Sequence, residues 1–286
     1  MIQEAYYDFV HRFRTAATSL ITNYPTIRTP LYRLRDRCAK LVVDTACFST
    51  RLRHEAPTDP YQIFWIDPDE ITASISWQEL SIDRGEEIPE AFTLPNYHFA
   101  GRIKAGDWDT DRRQFTDSVI YRSFRAHFED DIPWKETDLY EQALAVIDHG
   151  GSPWGCTSPE DLDQRCQEID RLYDTVGADG YKTQAELLES GVHPFDHARP
   201  NQYTQTVDGE IALTVGRDGE LLFYDGRNRL AIAKLLGLDS IPVVILVRHR
   251  QWQQLRDAVA GRNTALASLP ERLQSHPDLV GLSPSA

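Results

Sequence analysis

The residues best placed by type and spacing to do chemistry are Asp225-Gly226-Arg227-Asn228-Arg229. They lie between an apolar run, Leu221-Leu222-Phe223-Tyr224, and a helical stretch, Leu230-Ala231-Ile232-Ala233-Lys234-Leu235-Leu236. A strand that turns through glycine into a helix leaves the first backbone N–H groups of that helix without partners. With the helix dipole and two guanidinium groups nearby, those amides make an anion site, and phosphate is its natural ligand. On residue types alone, the same segment also reads as a plain strand-to-helix connection with exposed arginines.

Carboxylates that could work beside such a site occur at Gly106-Asp107-Trp108-Asp109-Thr110-Asp111 and at Asp225. The first run begins like a calcium loop. It departs from one where Arg112 takes the sixth position, which needs glycine, and Ser118 the twelfth, which needs glutamate. Asp107, Asp109 and Asp225 are therefore the candidate catalytic acids, against a reading of the loop as solvated acidic surface. Cys156, Cys166, His193 and His197 are residue types that bind zinc, but nine residues separate the cysteines and Pro194 breaks the alignment of the histidines. No metal site is expected there.

The segment around the turn, followed by Ile241-Pro242-Val243, resembles the second motif of ParB and sulfiredoxin-like domains: a glycine-basic turn, an alanine-rich helix, a Leu-Gly end and an Ile-Pro-Val strand. Upstream, Val176-Gly177-Ala178-Asp179-Gly180-Tyr181-Lys182-Thr183-Gln184 resembles the first motif, and Asp67-Pro68-Asp69-Glu70-Ile71 the opening of the domain. The resemblance implies an α+β fold with a nucleotide-binding core, bounded by residues 59–250 and carrying a large helical insertion at about 72–175. It implies that Tyr181, Lys182, Gln184, Gly226, Arg227, Asn228 and Arg229 hold a nucleotide (ATP, ADP or CTP, with magnesium) or a phosphorylated small molecule. A kinase-like transfer to a small hydroxyl substrate is the leading expectation, and a non-catalytic regulatory or DNA-associated module the alternative. Arg227 stands where sulfiredoxins carry their reactive cysteine, which argues against sulfinic-acid reduction. The residues after Val247 lack a helix-turn-helix pattern, which argues against chromosome partitioning.

The elements that must position these residues are read from periodicity and punctuation. Helices are expected at about 3–22, through the 31–45 stripe of Leu31, Leu34, Cys38, Leu41, Val42 and Thr45, at 136–149, at 159–177, at 182–190 and at 229–236. Pro25 and Pro30 are expected to separate the first two. Ser158-Pro159-Glu160-Asp161 supplies a cap, a proline at the first helical position and early acids. Strands are expected at Tyr61–Ile66, Tyr97–Ile103, 210–215, 221–224 and 241–247, with 76–130 otherwise irregular. Residues 1–58 then form a helical extension and residues 251–286 a helical tail.

Composition bounds what the molecule can be. The 286 residues are 41% hydrophobic, enough for a sizeable core, and the net charge is -14. Basic residues are mostly arginine, with lysine only at Lys40, Lys104, Lys135, Lys182 and Lys234, a balance that resembles proteins of salt-loving archaea. Residues 1–54 hold nine Arg/Lys against four Asp/Glu, a net of +5 that leaves -19 on the rest. That body would be repelled from nucleic acid at low salt, so nucleic acid is the less favoured partner. The basic front end could touch an acidic membrane surface peripherally, or simply cover a core face. Without an apolar run of membrane-spanning length or a secretory signal, a cytoplasmic protein with reduced thiols is expected.

Overall fold

A computed structural model of the chain describes residues 25–75, 96–190 and 202–282. The expected helix at 3–22 lies outside them. Helix α1 (Pro25–Arg51) begins at the first proline and contains the second. Pro25 fills the opening position, where a missing N–H forfeits nothing, and Pro30 interrupts one helical hydrogen bond without ending the helix. α1 buries Ala39, Val43 and Cys47, while Leu34, Leu41 and Phe48 face solvent.

Strand β1 (Phe64–Ile66) is shorter than the expected Tyr61–Ile66, and β2 (Ala73–Ser74) follows it. The expected strand at Tyr97–Ile103 divides into a single 3-10 turn, Asn96–His98, and β3 (Arg102–Lys104). After β4 (Arg113–Gln114), the structure corrects the reading of 76–130 as irregular: α2 (Val119–Asp130) is a regular helix capped by the Ser118 hydroxyl. Its core residues Ile120 and Phe124 repeat at helical spacing, but its β-branched and aromatic start resembles short strands. α3 (Asp138–Asp148), α4 (Pro159–Asp179) and α5 (Gln184–Glu189) follow, and α4 carries a full capping box between Ser158 and Asp161.

The last third contains α6 (Gln202–Gly209), β5 (Ile211–Val215), β6 (Leu221–Asp225), α7 (Arg227–Leu235), β7 (Ile241–His249), α8 (Arg250–Ala260), α9 (Glu271–Gln274) and α10 (Pro277–Val280). The described residues are α+β in composition: they form a seven-stranded mixed sheet in the order β1-β7-β5-β6-β2-β4, with β3 also paired to β7. β5 and β6 are antiparallel, and β5 runs parallel to β7. The stretch at 72–175 is woven into this sheet rather than appended to it, because β2 pairs with β6 and β3 with β7.

Both faces of the central strands are covered, which explains their unbroken apolar runs. Ile211, Leu213, Phe223, Val243 and Ile245 pack against α2, α3, α4 and α7. Their alternates Ala212, Leu222, Tyr224, Val244 and Leu246 meet Val43 of α1 and Val207 of α6 on the other side. The period of two divides consecutive residues between the two cores. No helix among the described residues is long and apolar enough to cross a membrane.

Candidate functional site

The turn after β6 stands at one end of this sheet and is built around Gly226. Its φ of +96° is left-handed, which strains any side chain, and a Cβ there would crowd the Ile211 Cα at 3.2 Å. Gly226 is the N-cap of α7, and no side chain caps this helix. The Gly226 amide donates to the carboxylate of its neighbour Asp225 at 2.8 Å, and the helical ladder begins with the Leu230 amide donating to the Gly226 carbonyl at 3.0 Å. The amides of Arg227, Asn228 and Arg229 form the uncapped first turn between these two bonds. Arg227 is exposed and Arg229 half-buried, and an Arg229 N–H donates to the Gly209 carbonyl.

Residues distant in sequence converge on this turn. Gln184, the first residue of α5, donates its amide to the Glu210 carboxylate at 2.6 Å. Its side chain packs against Gly209, where an added Cβ would lie 3.0 Å from the Gln184 Cγ. The Tyr181 hydroxyl is buried beside Glu210 and beside the Arg229 guanidinium, which favours its ionised form. Burial raises its pKa, against the pull of Arg229, and keeps the phenol protonated. Asn96 reaches from the other core to donate its side-chain N–H to Asp225 at 3.1 Å.

Glu210 is the most perturbed acid of the group. It is 1% exposed, and burial pushes its pKa up to about 7 although the Gln184 amide and Arg229 both favour its charged form. The sequence reading missed Glu210 and Asn96. Neither sits in a motif, and their partners lie 26 and 129 residues away along the chain.

Of the expected site residues, Tyr181, Gln184, Asp225, Gly226 and Arg229 are brought together, and Arg227 and Asn228 stand on the same helix turn. Lys182 is engaged in an exposed ion pair with Asp179 at 2.9 Å, at the end of α4.

Asp107 and Asp109 are elsewhere. Asp109 is fully buried against Gly216, in the β5–β6 hairpin. The five residues of β6 separate that hairpin from Gly226, about 15 Å of extended chain. The Asp109 carboxylate accepts from the Arg217 amide at 2.6 Å and from its guanidinium at 2.7 Å, and the exposed Asp107 pairs with the same guanidinium at 2.7 Å. These two acids anchor a hairpin, and the structure does not join them to the turn. His193 and His197, weighed as zinc ligands, lie outside the described residues.

The four cysteines are free thiols, three of them buried. No protein-family model, curated protein or solved structure matches the chain.

Proposed function

We propose that the first turn of α7 binds the phosphate of a small ligand, with a nucleotide as the favoured class. The observation that carries this reading is the uncapped run of amides at Arg227, Asn228 and Arg229, held open by a left-handed glycine and flanked by two arginines. The resemblance of the Asp225–Arg229 segment to the second ParB/sulfiredoxin-like motif supports the same ligand class. Arg229 is oriented through its bond to the Gly209 carbonyl, and exposed Arg227 is placed to meet an anion arriving from solvent. Asp225, beside the turn, accepts one hydrogen bond on each oxygen and retains lone pairs for a magnesium ion carried by the ligand. A kinase-like transfer to a small hydroxyl substrate would use the same placement, with phosphates at the amides and a carboxylate near the acceptor.

Isothermal titration of the full chain against ATP, ADP, CTP and GTP with magnesium tests the reading. Binding of at least one is expected, weakened about tenfold or more in Arg227→Ala and in Arg229→Ala, since each removes a charge-assisted contact. Absence of binding to all four would remove the nucleotide, and binding insensitive to both arginines would move the ligand to another part of the molecule.

A further inference from the structure

Two buried polar atoms near the α7 turn, Glu210 Oε2 and Asn96 Oδ1, have no hydrogen-bond partner among the described residues, and the buried Tyr181 hydroxyl has the Arg229 guanidinium beside it. Glu210 is 1% exposed and Asn96 3%. Buried polar atoms are paired in the great majority of cases, because an unmet one forfeits its hydration without return. Glu210 adjoins the turn through Ile211 and Asn96 through Asp225, so each leaves an unmet acceptor at the border of the phosphate site.

Glu210 and Asn96 are each held by a bond that engages the other polar atom of the side chain. The other oxygen of Glu210 accepts from the Gln184 amide, which leaves Oε2 over. Glu210 directly precedes Ile211, the residue packed against Gly226. Asn96 turns its N–H group to the Asp225 carboxylate, an acceptor only, which fixes the orientation of the amide and leaves Oδ1 unmet. The Tyr181 ring brings its hydroxyl beside Arg229.

The chemistry of the unmet atoms decides what would fit them. A phosphate offers only acceptors, so it suits the α7 amides and opposes Glu210 Oε2 and Asn96 Oδ1. Donor groups held next to the phosphate suit these atoms, and hydroxyls on adjacent carbons supply such donors. We propose that Glu210, Asn96 and Tyr181 form a hydroxyl-binding flank of the site, so that its ligand is a phosphate ester of a polyhydroxylated compound, such as a pentose phosphate or the ribose phosphate of a nucleotide. This inference rests on the phosphate reading of the turn and adds the part of the ligand beyond the phosphate.

The test compares ribose 5-phosphate with methyl phosphate, an ester of like charge without hydroxyls, by isothermal titration of the full chain. Ribose 5-phosphate is expected to bind tenfold or more tightly, the effect of one or two hydrogen bonds to a buried carboxylate. Glu210→Gln keeps an oxygen for the Gln184 amide and replaces the unmet oxygen by an N–H₂ group. It should reduce the preference for ribose 5-phosphate over methyl phosphate about tenfold. Tyr181→Phe should also lower the preference, and it provides the reading if a thermal melt shows that Glu210→Gln does not fold. Equal binding of the two esters to wild type, or an unaltered preference in the variants, would overturn the flank while the phosphate site stands, leaving Glu210 as a cap of α5 alone. If neither ester binds, the phosphate reading falls and the flank with it.

Discussion

Glu210 carries a pH signature that needs no ligand to detect. Its folded pKa of about 7 lies above the ordinary 4.5, so the folded state binds its proton more tightly than the unfolded chain does. The stability it contributes is complete below about pH 4.5 and is lost as pH rises through 7. Glu210→Gln cannot ionise, so between pH 5 and 8 the wild type should lose stability relative to the variant by about 3 kcal/mol, measured by urea denaturation. Parallel pH courses would show that the carboxyl titrates normally. Asp109 has the opposite balance: burial alone would raise its pKa, but the bonds from Arg217 outweigh that and hold it below the usual carboxylate range. Asp109→Ala should cost about 1–3 kcal/mol by stranding the Arg217 donors, with ligand affinity unchanged. Weakened binding at full stability would return Asp109 to the site. From sequence, Asp107 and Asp109 attracted attention because acids alternate there, yet alternation also describes an acidic loop that clamps one arginine. Glu210 had no such pattern, and only the fold makes it conspicuous.

Elements punctuated by glycine and proline were legible, and elements set by tertiary packing were not. The β6–α7–β7 unit follows from an apolar run, a glycine turn and Gly237, which ends α7 with the Leu238 amide donating to the Ala233 carbonyl at 3.1 Å. α2 was missed because its aromatic and β-branched residues satisfy a strand reading locally, and its helix is secured by packing on α7. The Asn96 turn was missed because its role depends on Asp225, far along the chain. Two glycines separate conformation from space. Both have positive φ, but a Cβ at Gly219 would lie 2.4 Å from the buried Trp252 ring, whereas one at Gly237 meets nothing within 4 Å. Gly237→Ala should cost only the left-handed backbone penalty, about 1–2 kcal/mol. Gly219→Ala adds a collision inside the core and should lower the thermal midpoint by clearly more. Equal losses would show that the hairpin yields freely around Trp252.

The whole molecule is fastened by a buried charge network that composition does not reveal. The Asp278 carboxylate on α10 accepts a two-pronged bond from Arg248 at 2.7 and 2.8 Å, a bond from the Trp252 indole at 2.8 Å, and an ion pair with Arg256 at 3.1 Å. Arg256 also donates to the Ala56 carbonyl at 2.9 Å, so one carboxylate links the C-terminal helices, β7 and the segment that leads from α1 into β1. These bonds join residues on both sides of positions 58 and 250. Burial works against the charge on Asp278, but the two arginines hold its pKa below the usual range. Asp278→Ala leaves both guanidinium groups buried without their partner and should cost roughly 3–5 kcal/mol, read from urea denaturation. A loss under 1 kcal/mol would mean that the tail is merely apposed. Within this frame, the first turn of α7 presents its uncapped amides next to Asp225, and the proposed phosphate site consists of those amides. Its most direct test is amide NMR of the full chain during titration with ribose 5-phosphate. The largest shifts are expected on Arg227, Asn228 and Arg229. A titration that leaves those three amides in place, or moves others more, would contradict it.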